Sequence, residues 1–248
     1  MAAAMRLKAA AGWNQTEADW LRLFKSAPEG CFGIDVDGQL AATATAVAYG
    51  AELAWIGMVL TAPACRRRGL ARALMEHALA YLGRLGVRCI KLDATAMGRP
   101  LYANLGFNVE CPVERWVREP GPAALEAFPA CPARWVFDAP LDREAFGADR
   151  SGLVASLGTG RPGSEAAYFG PCVARSDAEA RSILRSYLAS HAEERIFWDL
   201  LPGNAGAVEM AARHGFAPLR SLYRMQYRDG RVTWEPSKVY AIAGFEFG

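Results

Sequence analysis

The sequence predicts an α/β fold, an α+β arrangement on a mixed sheet, present twice in one chain. Strand-length apolar runs alternate with stretches of helical periodicity, the pattern that packs helices onto a sheet. The order strand, helix, strand, helix, Gly-Phe occurs around residues 53–107 and again around 167–216. A repeat of that size points to duplication of a whole domain, not to a solenoid. The chain has 248 residues and is 52% hydrophobic, enough for one large core or two small ones.

From the N-terminus, AGWNQTEADWLRLF places Thr16 as an N-cap before the acidic Glu17 and Asp19, with Trp20, Leu21 and Phe24 on one face, and reads as a helix. GCFGIDVDGQLAATATAVAYG holds two strands around Asp37-Gly38, a strong hairpin turn. ELAWIGMVLT is an apolar run of strand length, expected in the middle of the sheet. From Gly69, the residues Leu70, Ala73, Leu74, Ala78, Tyr81, Leu82 and Leu85 recur at helical spacing, and Gly86 is placed to end that helix. VRCIKLDAT is a further strand, LYANL a short helix, and FNVECPVERWVRE the last strands of this half. Residues 120–140, rich in proline and alanine, read as a linker between a first domain, 1–119, and a second, 141–248.

Composition narrows the functional classes. The formal net charge is +2, so no global field draws the chain to nucleic acid or an anionic membrane. No apolar stretch approaches the ~20 residues that span a bilayer, and no signal peptide opens the chain. The six cysteines (31, 65, 89, 111, 131, 172) and three histidines (77, 191, 214) are scattered, which argues against a metal site and for free thiols in a reducing cytoplasm.

Against this balanced background CRRRGLARAL, residues 65–74, stands out. A strand that feeds a glycine turn and then a helix is an anion-binding device: the first helical turn leaves backbone N–H groups unpaired, and the dipole adds about half a positive charge there. Gly69 and the small Ala71 let the backbone approach a ligand, and arginine side chains add charge-assisted hydrogen bonds. The spacing is neither GxGxxG nor GxxxxGK[ST].

Arg66-x-x-Gly69-x-Ala71 instead resembles the pyrophosphate loop of the GNAT superfamily of N-acetyltransferases, written [Q/R]xxGx[G/A]. The preceding MVLT strand and Pro63 stand where that family has its acetyl-CoA strand and following proline, and LYANLGF at 101–107 matches its LYxxxGF segment. AGWNQTEADW and the closing YAIAGFEFG also resemble a branch with two tandem GNAT-like domains. The resemblance implies a GNAT fold with splayed central strands, duplicated. It implies acetyl-CoA as co-substrate and no metal. The pantetheine would pair with the backbone of Val59, Leu60 and Thr61, and the pyrophosphate would sit on the loop Arg66, Arg67, Arg68, Gly69, Leu70, Ala71 and Arg72.

By the same resemblance, a backbone N–H of the 59–61 strand polarises the thioester carbonyl. Tyr102 stands where many members keep the general acid; a phenol near pKa 10 stays protonated at neutral pH and can donate to the departing thiolate. The base is not evident, with Asp93 and Glu52 as candidates. Trp13, Asn14, Gln15 and Asp93 are the expected acceptor contacts. The implied activity is acetyl transfer to the primary amine of a small-molecule or amino-acid-like acceptor. A CoA-binding sensor without turnover and a transferase using another acyl or aminoacyl donor are the alternatives. No extended basic stripe supports a tRNA ligand. The acceptor's identity and a homodimer are left open.

The second half departs from the pattern. At its equivalent turn it reads PCVARSDAEA, with no glycine, Ser176 or Asp177 as cap and Glu179 following; Ala211 stands where the first half has Tyr102. Acid at a helix N-terminus repels phosphate, so this half is expected not to bind acetyl-CoA productively. Its roles would be to close the acceptor pocket, support the fold or mediate dimerisation.

Overall fold

The computed structural model describes residues 1–121 and 136–248; most of the expected linker, 122–135, lies outside the described residues. The first half runs α1 (Ala2–Ala10), α2 (Glu17–Ser26), β1 (Cys31–Val36), β2 (Gln39–Tyr49), β3 (Leu53–Thr61), α3 (Leu70–Arg84), β4 (Cys89–Ala94), α4 (Arg99–Asn104) and β5 (Phe107–Arg118). The second runs α5 (Ala139–Phe146), α6 (Ser151–Val154), β6 (Gly160–Arg161), β7 (Ala167–Phe169), β8 (Cys172–Val173), α7 (Asp177–Ser190), β9 (Ile196–Leu200), α8 (Ala205–Arg213), β10 (Ala217–Tyr227) and β11 (Val239–Ala241).

Local signals explain most boundaries. Helix α2 opens with a capping box in which the Thr16 backbone N–H donates to the Asp19 carboxylate at 2.8 Å. Asp37 and Gly38 both take positive φ, +51° and +74°, the backbone that a two-residue hairpin turn requires. Helix α1 was not expected; its sequence, AAAMRLKAA, is alanine-rich and favours helix without a strong apolar stripe.

FNVECPVERWVRE forms one twelve-residue strand, β5, not several. Pro112 within it pairs with Tyr223 of β10, while pairing to β9 begins only at Glu114. The proline therefore lies where one flank of the strand is unpaired and its missing N–H is tolerated.

Nine strands form one sheet in the order β1-β2-β3-β4-β10-β5-β9-β7-β6, and β11 pairs with β8 in a small second sheet. The two long strands that follow the equivalent helices α4 and α8 exchange places. Strand β10, from the second half, lies antiparallel to β4 of the first; β5, from the first half, lies antiparallel to β9 of the second. The exchanged strands pair with each other along their length. Two buried bidentate ion pairs straddle the exchange at equivalent positions. Arg224 holds Asp93 at 3.0 and 3.1 Å, and Arg115 holds Asp199 at 2.7 Å through both carboxylate oxygens.

The sheet opens at its centre in both halves. Strands β3 and β4 run parallel and pair only from Leu53 to Trp55 against Cys89 to Lys91, then separate. Beyond that point β3 carries a bulge: register with β2 shifts between Thr43 and Thr45, and Met58 takes φ +50°. In the second half, β7 and β9 pair over three residues in the same way.

There the C-terminal segment lies in the opening. Strand β11 pairs with β8, the Ile242 N–H donates to the Asp199 carbonyl at 3.0 Å, and Trp198 Nε1 donates to the Tyr240 carbonyl at 2.8 Å. The segment then crosses to the first half. Trp55 Nε1 donates to the Phe245 carbonyl at 2.9 Å, and the Tyr49 hydroxyl to the Phe247 carbonyl at 2.8 Å. Gly57 is the contact point on β3: a Cβ there would stand 3.0 Å from Glu246 Cα.

Candidate active site

The expected pyrophosphate loop is a sharp, open turn at the N-terminus of α3. Arg67 and Gly69 both adopt left-handed backbone, φ +61° and +80°, and Gly69 is the N-cap, with no side-chain cap and no acid in the first turn. The first helical bond runs from Ala73 N–H to the Gly69 carbonyl, so the N–H groups of Leu70, Ala71 and Arg72 precede it and are free for a ligand. No heavy atom lies within 4 Å of a Cβ built on Gly69; glycine is required there by its φ. Arg66, Arg67 and Arg68 are exposed and have no carboxylate partner among the described residues. Arg72 pairs loosely with Glu76, at 3.6 Å.

Val59, Leu60 and Thr61 lie past the last residue of β3 that β4 pairs. One edge of this strand is held by β2, and the other faces the opening. The open strand edge and the free helix end form one continuous path, and among the described residues no carboxylate blocks it at the loop.

The path leads to a narrow cavity of about 40 Å³ where β3 and β4 diverge. Ile56, Gly57, Met58 and Val59 form one wall, Leu92, Asp93, Thr95 and Tyr102 another, and Trp13, Gln15, Arg220, Leu222, Phe245 and Glu246 complete it. Tyr102 is 8% exposed, and burial pushes its phenol well above the ordinary tyrosine value. Its ring rests on Gly98, where a Cβ would stand 2.9 Å from it. A much larger cavity, about 820 Å³, is lined by residues of α5 and α7 together with Val136 and Phe137. It adjoins the residues outside the description and holds none of the expected site residues.

The expected acceptor contacts divide. Trp13 and Gln15 line the cavity. Asn14 does not: its carbonyl oxygen accepts from the Glu165 and Ala166 N–H groups, and its amide donates to the Ala166 carbonyl at 3.0 Å. Every amide atom of Asn14 thus ties the N-terminal segment to the second half. Asp93 is at the wall, but both its oxygens are engaged by Arg224 and its side chain is fully buried. Burial, opposed by Arg224, raises its pKa. It is a structural ion-pair member, not a free carboxylate. Glu52 lies outside the cavity, 3.9 Å from Arg143.

Two cavity residues lay outside the sequence reading. Glu246 is the cavity's other carboxylate. Arg161 donates to one of its oxygens at 2.7 Å and Gln15 Nε2 to the other at 2.7 Å. Burial raises its pKa, Arg161 opposes that, and nearby Asp19 adds to it. The signal was an acid inside the apolar run YAIAGFEFG, which marks a buried carboxylate. Arg220, on the exchanged strand β10, is the second. Nothing in the sequence places it beside Tyr102, because it arrives from the other half.

In the second half the C-terminal segment fills the equivalent opening and the helix end is capped. The Ser176 side chain caps α7 by accepting from the Glu179 N–H, Glu179 accepts from the Arg175 N–H at 2.9 Å, and Asp177 accepts from the Tyr240 hydroxyl at 2.7 Å. The helix end that would meet a pyrophosphate is occupied by its own side chains, and Ala211 is fully buried.

Comparison with known proteins agrees with this geometry. Residues 5–107 match the model of the acetyltransferase (GNAT) family, and residues 151–241 match that of an acetyltransferase (GNAT) domain. Among curated proteins none matches the sequence. Among solved structures, a Pyrococcus horikoshii protein described as an acetyltransferase superposes with a TM-score of 0.80 at 22% identity, over 94% of this chain and 85% of its own. A tandem GNAT protein from the clavulanic acid biosynthesis pathway gives a TM-score of 0.59 at 16% identity, over 88% of this chain and 89% of its own. These likenesses concern the fold. With both halves matched by family models and the strands splayed at the loop, the chain belongs to the GNAT acetyltransferase family, with two domains in tandem.

Proposed function

We propose that the chain is an acetyl-CoA-dependent N-acetyltransferase that acylates the primary amine of a small, amino-acid-like acceptor, with chemistry in the first domain, 1–119, and a second domain, 141–248, that does not bind acetyl-CoA. The observation that carries this reading is the uncapped α3 N-terminus following a β3 stretch that β4 leaves unpaired, with Val59 of that stretch lining one cavity with Tyr102. Bound acetyl-CoA supplies the activated thioester. The α3 N–H groups and the unpaired arginines hold its pyrophosphate, and the free β3 edge aligns the pantetheine. A β3 N–H in the 59–61 stretch polarises the carbonyl. Tyr102, kept protonated by burial, donates to the departing sulfur. The acceptor amine reacts in its neutral form, its ammonium proton having passed to solvent, and Glu246, held by Arg161 and Gln15, lines the cavity that receives it. The family's shared chemistry, sited on these residues, thus needs no metal.

Thiol release from acetyl-CoA across a panel of amines tests the reading. Tyr102→Phe is expected to lower kcat about 100-fold while calorimetry still finds one acetyl-CoA per chain at wild-type affinity. Undiminished turnover in Tyr102→Phe removes the acid assignment, two equivalent sites per chain contradict the silent second half, and CoA binding without thiol release for any amine leaves a CoA-binding protein without turnover.

A further inference from the structure

Buried charges in this protein are paired with consistency. Asp93 has Arg224, Asp199 has Arg115, Asp142 has Arg150, and Asp19 and Glu246 share Arg161. Two further buried cations lack a carboxylate but are answered by other acceptors, Lys8 by Ser164 Oγ and Arg118 by the Ala192 and Gly121 carbonyls; Arg220 differs from both. It is half-buried on β10, lines the cavity beside Tyr102, and has no carboxylate partner among the described residues. Its Nε is buried without a hydrogen-bond acceptor. Its register neighbour on β5 is Arg115, whose guanidinium is committed to Asp199. Desolvation first, and then repulsion from Arg115, lower the Arg220 pKa to about 10. A cation held in such a place costs folding free energy unless something anionic meets it.

The same cavity holds a complementary acceptor. Gln15 is 6% exposed, and its Oε1 is buried without a donor. The amide orientation is fixed, because Nε2 donates to Glu246 at 2.7 Å and a carboxylate only accepts. The cavity thus presents a guanidinium that lies over the Phe245 ring at 5.7 Å but meets no anion, together with an unanswered carbonyl backed by a carboxylate.

We infer that Arg220 is a specificity residue that binds a carboxylate on the acceptor, whose amine is held by Gln15 Oε1 and Glu246. The inference rests on the acetyltransferase reading above and narrows its substrate class to amines that also carry a carboxylate. A monoanion balances the single cation; a phosphate dianion would meet excess negative charge from Glu246 in the same narrow space.

The test separates binding from turnover. Calorimetry on the full chain saturated with CoA, which cannot react, uses glycine, β-alanine and L-phenylalanine against their carboxamides. At least one free acid is expected to bind about 10- to 100-fold more tightly than its amide, the scale of a charge-assisted hydrogen bond. Arg220→Gln is expected to erase that difference without lowering Tm, since it removes an uncompensated cation. Arg220→Lys is expected to restore part of it. Acid affinity is expected to hold below pH about 10, where the guanidinium stays protonated, and to fall above it. Equal binding of acids and amides, binding of neither, or an unchanged preference in Arg220→Gln overturns the proposal. Acids that bind through Arg220 but give no thiol release with acetyl-CoA leave the carboxylate site standing and remove the acetyltransferase reading instead.

Discussion

Gly69 shows how one residue shapes a loop through its backbone alone. Its φ of +80° ends the loop and starts α3, and L-residues disfavour that region by about 1–2 kcal/mol. The space around it is open, so alanine there is opposed by conformation and not by collision. Gly69→Ala is expected to raise the Kd for CoA about 5- to 10-fold, as the loop relaxes and the α3 N–H groups lose alignment. Gly83→Ala, later in the same helix and also in open space, is expected to leave CoA affinity unchanged and to raise Tm slightly. An equal effect of both changes on CoA binding would show that helix stability, and not loop geometry, governs the site. The loop glycine and Tyr102 were legible in the sequence because each belongs to a contiguous motif. Glu246 lies in the closing YAIAGFEFG segment, but nothing in that segment states that it reaches the cavity of Tyr102. Asp93 was legible as a strand-end acid and a candidate base, but its partner Arg224 lies 131 positions away, so the ion pair was not.

At the scale of elements, the exchange of β5 and β10 is held by matched ion pairs. Arg115 and Asp199 are directly opposed in register and almost wholly buried. Removing one partner strands the other charge in the interior, at a cost of about 3–5 kcal/mol. Asp199→Ala is therefore expected to lower thermal stability sharply, whereas Arg115→Met combined with Asp199→Leu recovers most of the loss. If the single and double variants melt alike, the pair contributes nothing beyond packing. Individual strands and helices followed from periodicity and caps, as at Thr16 and Asp37-Gly38. The destination of β5 did not follow, because a strand's own pattern states which face is buried and not which neighbour it pairs with.

Across the whole molecule, the exchange makes the two halves one folding unit. Strand β4 has β10 as its outer partner and β9 has β5, so either half alone would expose an unpaired central edge. Residues 1–119 and 141–248, expressed separately, are expected to remain aggregated or unstructured by circular dichroism, while the intact chain unfolds in one cooperative transition. A soluble, folded first half that binds CoA would refute this coupling. The same arrangement gives the second half its use: it supplies Arg220 and Leu222 from β10 and Glu246 from the C-terminal segment to a cavity whose other walls belong to the first.

The duplicated α/β plan, the glycine turn at Gly69, the LYANLGF segment that carries Tyr102 and the absence of glycine from the turn at Ser176 are all readable in the sequence alone. These are local features: caps, periodicities and short motifs, each contained within one turn or strand. The strand exchange, the engagement of Asp93 by Arg224 and of Asn14 by the 165–166 backbone, and the arrival of Glu246 and Arg220 at the cavity became visible only in the folded molecule. Those depend on pairings between residues more than a hundred positions apart, as in Arg224 with Asp93 and Gln15 with Glu246. Such pairings are fixed by the cost of leaving buried charges and sheet edges unanswered in the folded whole, and that cost is not visible until the whole is assembled.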